Sequence, residues 1–196
     1  MKHRLYVIIS CATFSILLLV ACGQTEIKER LDWAVDEDDE FTAVNEEGEP
    51  VTISDYHGEV WLAYFMFTSC DTVCPMMTTN MIELQERLEA KGLKPPIVAL
   101  TVDPKRDTPD VLQEYRQQHS IDPEQWDFLT GYTREEVKDL AEDFNTVLEE
   151  MTDTDQYLHG TRFYLIDQKG VIAKTYSGLQ EIPFEQMVQD TKALSQ

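Results

Sequence analysis

Apolar and polar positions alternate along this chain in the rhythm of buried strands joined by one-sided helices. Val60-Trp61-Leu62-Ala63-Tyr64-Phe65-Met66-Phe67 is continuously apolar, the pattern of a central strand covered on both faces. Behind it Met77, Met81, Leu84 and Leu88 recur at helical spacing, which predicts a helix from about Thr72 to Ala90 with Gly92 as its stop. Strands follow over 97–102 and 126–129. Between them lies a helix over 109–118, with Thr108 as N-cap and Pro109 in the first helical position. A further helix over 133–144 opens on the capping box Thr133-x-x-Glu136. The acidic stretch 146–158 has no period and reads as an irregular loop. Residues 162–166 and 171–176 pair as a hairpin across Asp167–Gly170, and a helix over 183–194 ends the chain. Ahead of all these, 41–53 reads as a hairpin turning at Glu46–Glu49. The order implies an α/β fold: a mixed central sheet with helices on both faces plus an N-terminal β-hairpin.

The first 22 residues stand apart from that pattern. Lys2, His3 and Arg4 precede an apolar run from Leu5 to Val20, short for a membrane-spanning helix. Leu19-Val20-Ala21-Cys22 looks like the lipobox of bacterial lipoprotein signals; an ordinary signal peptide or a short membrane anchor is the plainer alternative. The expected organisation is a lipoprotein signal peptide over 1–21, a lipid-anchored acidic tether over 22–40 and one domain over 41–196. Two or more acyl chains at Cys22 would anchor the protein firmly, at the extracytoplasmic face of the cell membrane. The tether ends in Asp36-Glu37-Asp38-Asp39-Glu40 and is expected to have little fixed structure.

Charge narrows the partners. The net charge is −21, and −23 once Lys2 and Arg4 leave with the signal. Phosphate binding needs a surplus of Lys and Arg, so nucleic acid is excluded as a partner. Anionic headgroups would repel the domain, leaving the lipid to hold it. Simple solubility accounts for the charge equally well.

Once Cys11 is removed and Cys22 is lipidated, Cys70 and Cys74 are the free thiols left. Two cysteines four apart in an exported protein make a disulfide, a redox pair or a metal site. The loop between them is too short for a disulfide to stabilise the fold much. Side chains at i and i+4 share one helix face, and a helix N-terminus favours thiolates. The element order resembles the thioredoxin superfamily, whose reactive cysteines stand after a central strand. Where thioredoxins place a cis-proline beside those cysteines, this chain has Leu158-His159-Gly160-Thr161. That makes His159 the third candidate ligand, whereas His57 and His119 read as surface residues. Two sulfurs and an imidazole suit copper, as Cu(I) or Cu(II), and three ligands leave an open site where structural zinc prefers four. Met76 and Met77 read as helix packing rather than as thioether ligands.

The chain resembles the Sco/SenC family of copper-handling proteins in cytochrome oxidase assembly. The resemblance runs from about Phe41 to Leu194. It is carried by Phe67-Thr68-Ser69-Cys70 with Cys74-Pro75, by Val102-Asp103-Pro104 with Arg106-Asp107-Thr108-Pro109, and by His159-Gly160-Thr161 before Phe163-Tyr164-Leu165-Ile166-Asp167. It implies copper ligation by Cys70, Cys74 and His159, one ion per chain in a monomer, with cytochrome c oxidase subunit II and its dinuclear copper centre as the client. Two positions depart from the family: Asp71-Thr72-Val73 lacks a second proline common there, and Gly160 stands where many members have serine. The resemblance also suggests a contact or redox-tuning role for Asp103 and Asp107. Locally, Asp103 begins a turn and Asp107 supports the next helix N-terminus.

Three activities compete. A copper metallochaperone needs His159. A thiol-disulfide reductase, keeping the client's cysteines reduced, needs the redox pair Cys70 and Cys74 but not the histidine. A peroxidase is faintly suggested by Phe67-Thr68-x-Cys70, without the proline usual before such a Phe-Thr.

Overall fold

The computed structural model describes Ile27 and residues 30–35, 41–152, 154 and 156–196. The signal segment, Cys22 and most of the acidic tether lie outside the described residues.

The sheet grows outward from β4 (Trp61–Met66), whose six residues are all buried. β5 (Ile97–Thr101) and β6 (Trp126–Leu129) run parallel to it on one side. On the other side β9 (Arg162–Ile166) runs antiparallel, followed by β10 (Val171–Ser177). Side chains of a strand point alternately to opposite faces, and β4 uses both. The Tyr64 hydroxyl meets Thr78 of α1 (Cys74–Glu89), and Thr78 in turn meets Tyr115 of α2 (Pro109–Gln118). On the opposite face Phe65 packs edge-on against Phe144, the residue that closes α3 (Arg134–Asp143). The last helix, α4 (Phe184–Leu194), packs beside α1. The expected mixed sheet with helices on both faces is therefore present.

The N-terminal hairpin is β2 (Thr42–Val44) with β3 (Pro50–Thr52). Glu46 in its turn is buried, accepts from the Phe128 N–H and pairs with Arg116. α2 occupies the expected residues, and Thr108 stands at its N-cap without a side-chain bond. α3 begins with the full Thr133–Glu136 capping box.

Three sequence expectations need correction. The first is the tether, expected to lack fixed structure over 23–40. Within it β1 (Trp33–Ala34) pairs antiparallel with β10 and completes a six-stranded sheet. Leu31 and Val35 donate to Ala173 and Gly170, Val35 is buried, and Arg30 forms an ion pair with Asp167. A two-residue strand leaves no period to read among charged neighbours. The second is the helix start. α1 begins at Cys74, because Pro75 has no N–H for the Asp71 carbonyl and its ring excludes helix upstream. Cys70 thus stands between the turn at 68–69 and a bend over 71–73, outside the helix, and the two cysteines do not share a helix face. The third is the supposed irregular loop. It contains a ribbon, β7 (Leu148–Glu150) against β8 (Tyr157–His159).

No helix among the described residues is long and apolar enough to cross a membrane.

Candidate metal centre

Cys70 sits where the chain leaves the central strand. Its N–H returns to the Phe67 carbonyl, closing a tight turn beyond β4. Thr68 inside that turn is held by Asp107, which accepts from the Thr68 N–H (3.1 Å) and from the hydroxyls of Thr68 and Thr101. Asp107 is fully buried. Burial pushes its carboxyl up, while those hydrogen bonds pull it back. Its side chain therefore clamps the cysteine turn to β5 instead of supporting the N-terminus of α2.

The two sulfurs are held by the start of α1. The Cys74 N–H points at the Cys70 sulfur (3.4 Å), and the Thr72 hydroxyl lies 3.6 Å from it. A hydrogen bond from the Cys74 thiol, helped by the N–H groups of Cys74 and Thr72, lowers the Cys70 pKa against the opposing effect of burial. The same thiol–thiolate bond, with burial, raises that of Cys74. Both cysteines are reduced and both are buried.

His159 reaches this pair from β8. Its Nε2 lies 3.3 Å from the Cys74 sulfur, and its Nδ1 lies 3.0 Å from the Gly160 carbonyl. A carbonyl only accepts, so Nδ1 carries the proton and the Nε2 lone pair faces the sulfurs. That is the tautomer in which imidazole binds a metal, fixed by the hydrogen bond its other nitrogen makes. Phe67 packs edge-on against the ring at 5.8 Å. Gly160 permits the close turn after β8: a Cβ there would lie 1.9 Å from the Thr146 hydroxyl.

The three predicted ligand residues thus come together. The other histidines do not join them. His57 is exposed before the N-terminal end of β4, against Gly170, and His119 caps α2 with its ring 4.4 Å from Tyr115. Met77 is buried as expected of a packing residue, but Met76 is half exposed. Asp103 begins its turn, accepting backbone bonds from Arg106 and Asp107, and its carboxylate engages Arg106 and Tyr157. The sequence reading missed Tyr157 because the ribbon that carries it went unrecognised.

Among the described residues no three His, Cys, Asp or Glu side chains already stand around one metal position. Here the donors hold one another by hydrogen bonds, which a metal would replace. Their chemistry fits copper: two sulfurs that bind a metal as thiolates, and an imidazole lone pair already turned inward.

Comparison with known proteins follows the same lines. The family model described as SCO1/SenC matches residues 31–196. The crystal structure of a SCO1/SenC family lipoprotein from Bacillus anthracis str. Ames is 37% identical, with a TM-score of 0.82, covering 87% of this chain and 100% of its own. BsSco, a member of the Sco family of cytochrome c oxidase assembly proteins in which a disulfide switch was identified, is 35% identical with a TM-score of 0.79; the match covers 87% of this chain and 98% of that one. ScoI of Bradyrhizobium japonicum, solved with copper bound, is 25% identical with a TM-score of 0.65, over 79% of this chain and 96% of its own.

Proposed function

We propose, for a chain that belongs to the SCO1/SenC family, a copper chaperone of cytochrome c oxidase assembly. Its cargo is one copper ion, taken by Cys70, Cys74 and His159. Its client is the dinuclear copper centre of oxidase subunit II. The observation that carries this reading is the 3.3 Å contact between Cys74 and His159, with the imidazole lone pair facing the thiols. A reductase would gain nothing from that histidine, while a copper site lacking it has two donors. The relative from Bradyrhizobium japonicum binds copper, and BsSco belongs to a family of oxidase assembly proteins. A lipid on Cys22 would hold the domain at the outer face of the membrane, in keeping with the lipoprotein relative from Bacillus anthracis. Three donors, each able to leave singly, suit an ion that is passed on.

A second reading keeps the same thiols as a reductase. It is favoured by their asymmetry, a lowered pKa on Cys70 and a raised one on Cys74, as in a nucleophile and its resolving partner.

Copper titration of the reduced protein tests the first reading. The expected result is one ion per chain, with sulfur-to-metal charge-transfer absorption in the Cu(II) form. His159→Ala should weaken binding and change the spectrum, while His57→Ala and His119→Ala do neither. Unchanged binding and spectrum in His159→Ala would overturn the assignment.

A further inference from the structure

The histidine of this site is carried by a ribbon that is short, largely exposed and tied down at few points. β7 and β8 form a two-stranded sheet of their own, outside the six-stranded one. Val147, Met151 and Leu158 are each about half exposed, and Leu148 and Tyr157 are the partly buried apolar side chains that hold the ribbon to the core. With α3 it walls an open cavity of about 590 Å3, lined by Val102, Lys138, Thr146 and Leu148 among others. Segments with few buried contacts over open space sit at the low end of local stability.

Tyr157 is where this ribbon is fastened. It lies two residues before His159 on β8, so both side chains point to the same face. Both rings pack edge-on against Phe67, at 5.4 Å for Tyr157. The Tyr157 hydroxyl accepts from Arg134 (2.6 Å) and donates to Asp103 (3.3 Å). Arg134 lies over the Tyr157 ring at 5.3 Å and pairs with Glu150, the residue opposite Tyr157 across the ribbon. Gln156 donates to the Ser69 carbonyl, inside the cysteine turn. Arg134 opens α3 and Asp103 follows β5. One phenol therefore joins the histidine arm to two elements of the rigid fold.

We propose that Tyr157, with Arg134, is a latch that positions His159, and that its opening and closing sets how tightly the site holds copper. This rests on the copper reading of the same site. With the latch closed, Nε2 is presented to the sulfurs. With it open, the ribbon swings off the cysteine turn and two sulfurs remain. An ion is then held weakly enough to pass to a client that breaks the latch on docking. A ligand whose competent arrangement is only partly populated binds weaker by that fraction.

Tyr157→Phe removes the hydroxyl and keeps the ring contacts. In the reduced, copper-free protein, losing one charge-assisted hydrogen bond raises the opening constant about tenfold, and backbone amides of the ribbon, such as Met151 bonded to Gln156, should exchange about threefold faster. Amides of β4 and β5 should not change. Apparent copper affinity should fall about threefold, because the open population gained is closed population lost. Arg134→Met should give the same pair of effects. In a His159→Ala background, Tyr157→Phe should have no further effect on copper, because it acts through the histidine. Unchanged ribbon exchange, or an equal copper loss in both backgrounds, overturns the latch. If His159→Ala alone leaves copper affinity intact, the copper reading fails instead, and the exchange data still decide whether the latch exists.

Discussion

The Cys74 sulfur and His159 Nε2 stand 3.3 Å apart across 85 residues of chain. Cys74 is delivered by the first turn of α1, and His159 by the last residue of β8. Neither could be placed by its own segment alone. Pro75 fixes where the helix starts, and the tight turn at Gly160 fixes where the ribbon stops.

The cysteines should react unequally. The hydrogen bond from Cys74, backed by two N–H groups, lowers the Cys70 pKa, while the same bond and burial raise that of Cys74. Alkylation of the reduced, copper-free protein should modify Cys70 first. Its rate should stay nearly flat from about pH 5 to 8, where an ordinary thiol of pKa ~8.5 speeds up about tenfold per unit. In Cys70→Ser, the remaining Cys74 should react slowly and regain a steep pH dependence. A steep profile for Cys70 in the wild type would contradict the thiolate assignment.

Gly160 is explained by a neighbour rather than by its backbone angle. Because a Cβ would sit 1.9 Å from the Thr146 hydroxyl, Gly160→Ala or Gly160→Ser should cost about 1–3 kcal/mol, the range for overpacking. The serine common at this position in the family thus conflicts with Thr146 in this chain. Gly160→Ala combined with Thr146→Ala should recover much of the loss in urea unfolding. An additive double variant would mean that the two residues do not collide.

The folded domain begins before residue 41. β1 adds backbone bonds from Leu31, Asp32 and Val35 to the outer edge of β10 and buries Val35. A chain starting at residue 41 should lose about 3 kcal/mol relative to one starting at residue 27, from a buried valine and several modest hydrogen bonds. It should also aggregate more readily through the uncovered edge of β10. The ion pair with Arg30 adds a pH signature. Burial would raise the Asp167 pKa, but the bonds from Arg30 and from the Lys169 and Val171 N–H groups hold it below the usual aspartate value. A lowered carboxyl pKa contributes stability that is present above the unfolded value, about 3.9, and lost as pH falls through the folded one. The longer chain's advantage should therefore shrink below about pH 4 in urea unfolding at stepped pH.

The sequence spoke clearly wherever a period was long enough to repeat. The eight apolar residues from Val60 to Phe67 announced the central strand, and Met77, Met81, Leu84 and Leu88 the buried face of α1. Caps at Thr108 and Thr133 placed two helices to within a residue. The thioredoxin-like order then brought His159 near Cys70 and Cys74. Pieces of two or three residues stayed hidden. β1, β7 and β8 are held by what they pair with, and an acidic composition masks their alternation. The reach of Asp107 to Thr68 and of Tyr157 to Arg134 lies in tertiary geometry alone. For the ribbon the one local signal was Tyr157-Leu158-His159 itself, an alternation over three residues.

Chaperone and reductase make opposite demands on His159, and this is where the cell can separate them. Both readings need Cys70 and Cys74, so replacing either cysteine cannot decide. A disulfide between them removes two of the three copper donors and also consumes the reductant. Oxidised protein should therefore bind copper poorly, and dithiol treatment should restore binding. Loss of the protein should lower the activity of an oxidase that contains the dinuclear copper centre and spare a copper-free quinol oxidase. A lipid on Cys22 would tether the domain at the membrane and raise its effective concentration toward the client, so that a modest contact affinity would suffice for transfer. If the protein carries copper, His159→Ala should resemble the deletion, and added copper should partly rescue both. If it reduces the client's cysteines, His159→Ala should retain most oxidase activity, because the dithiol stays available. Added thiol reductant should then rescue the deletion better than copper does. The Nε2 lone pair facing the sulfurs favours the first outcome, since a dithiol reductase has no use for an imidazole held in its metal-binding tautomer. Full oxidase activity in a His159→Ala strain grown in copper-limited medium would reverse that preference.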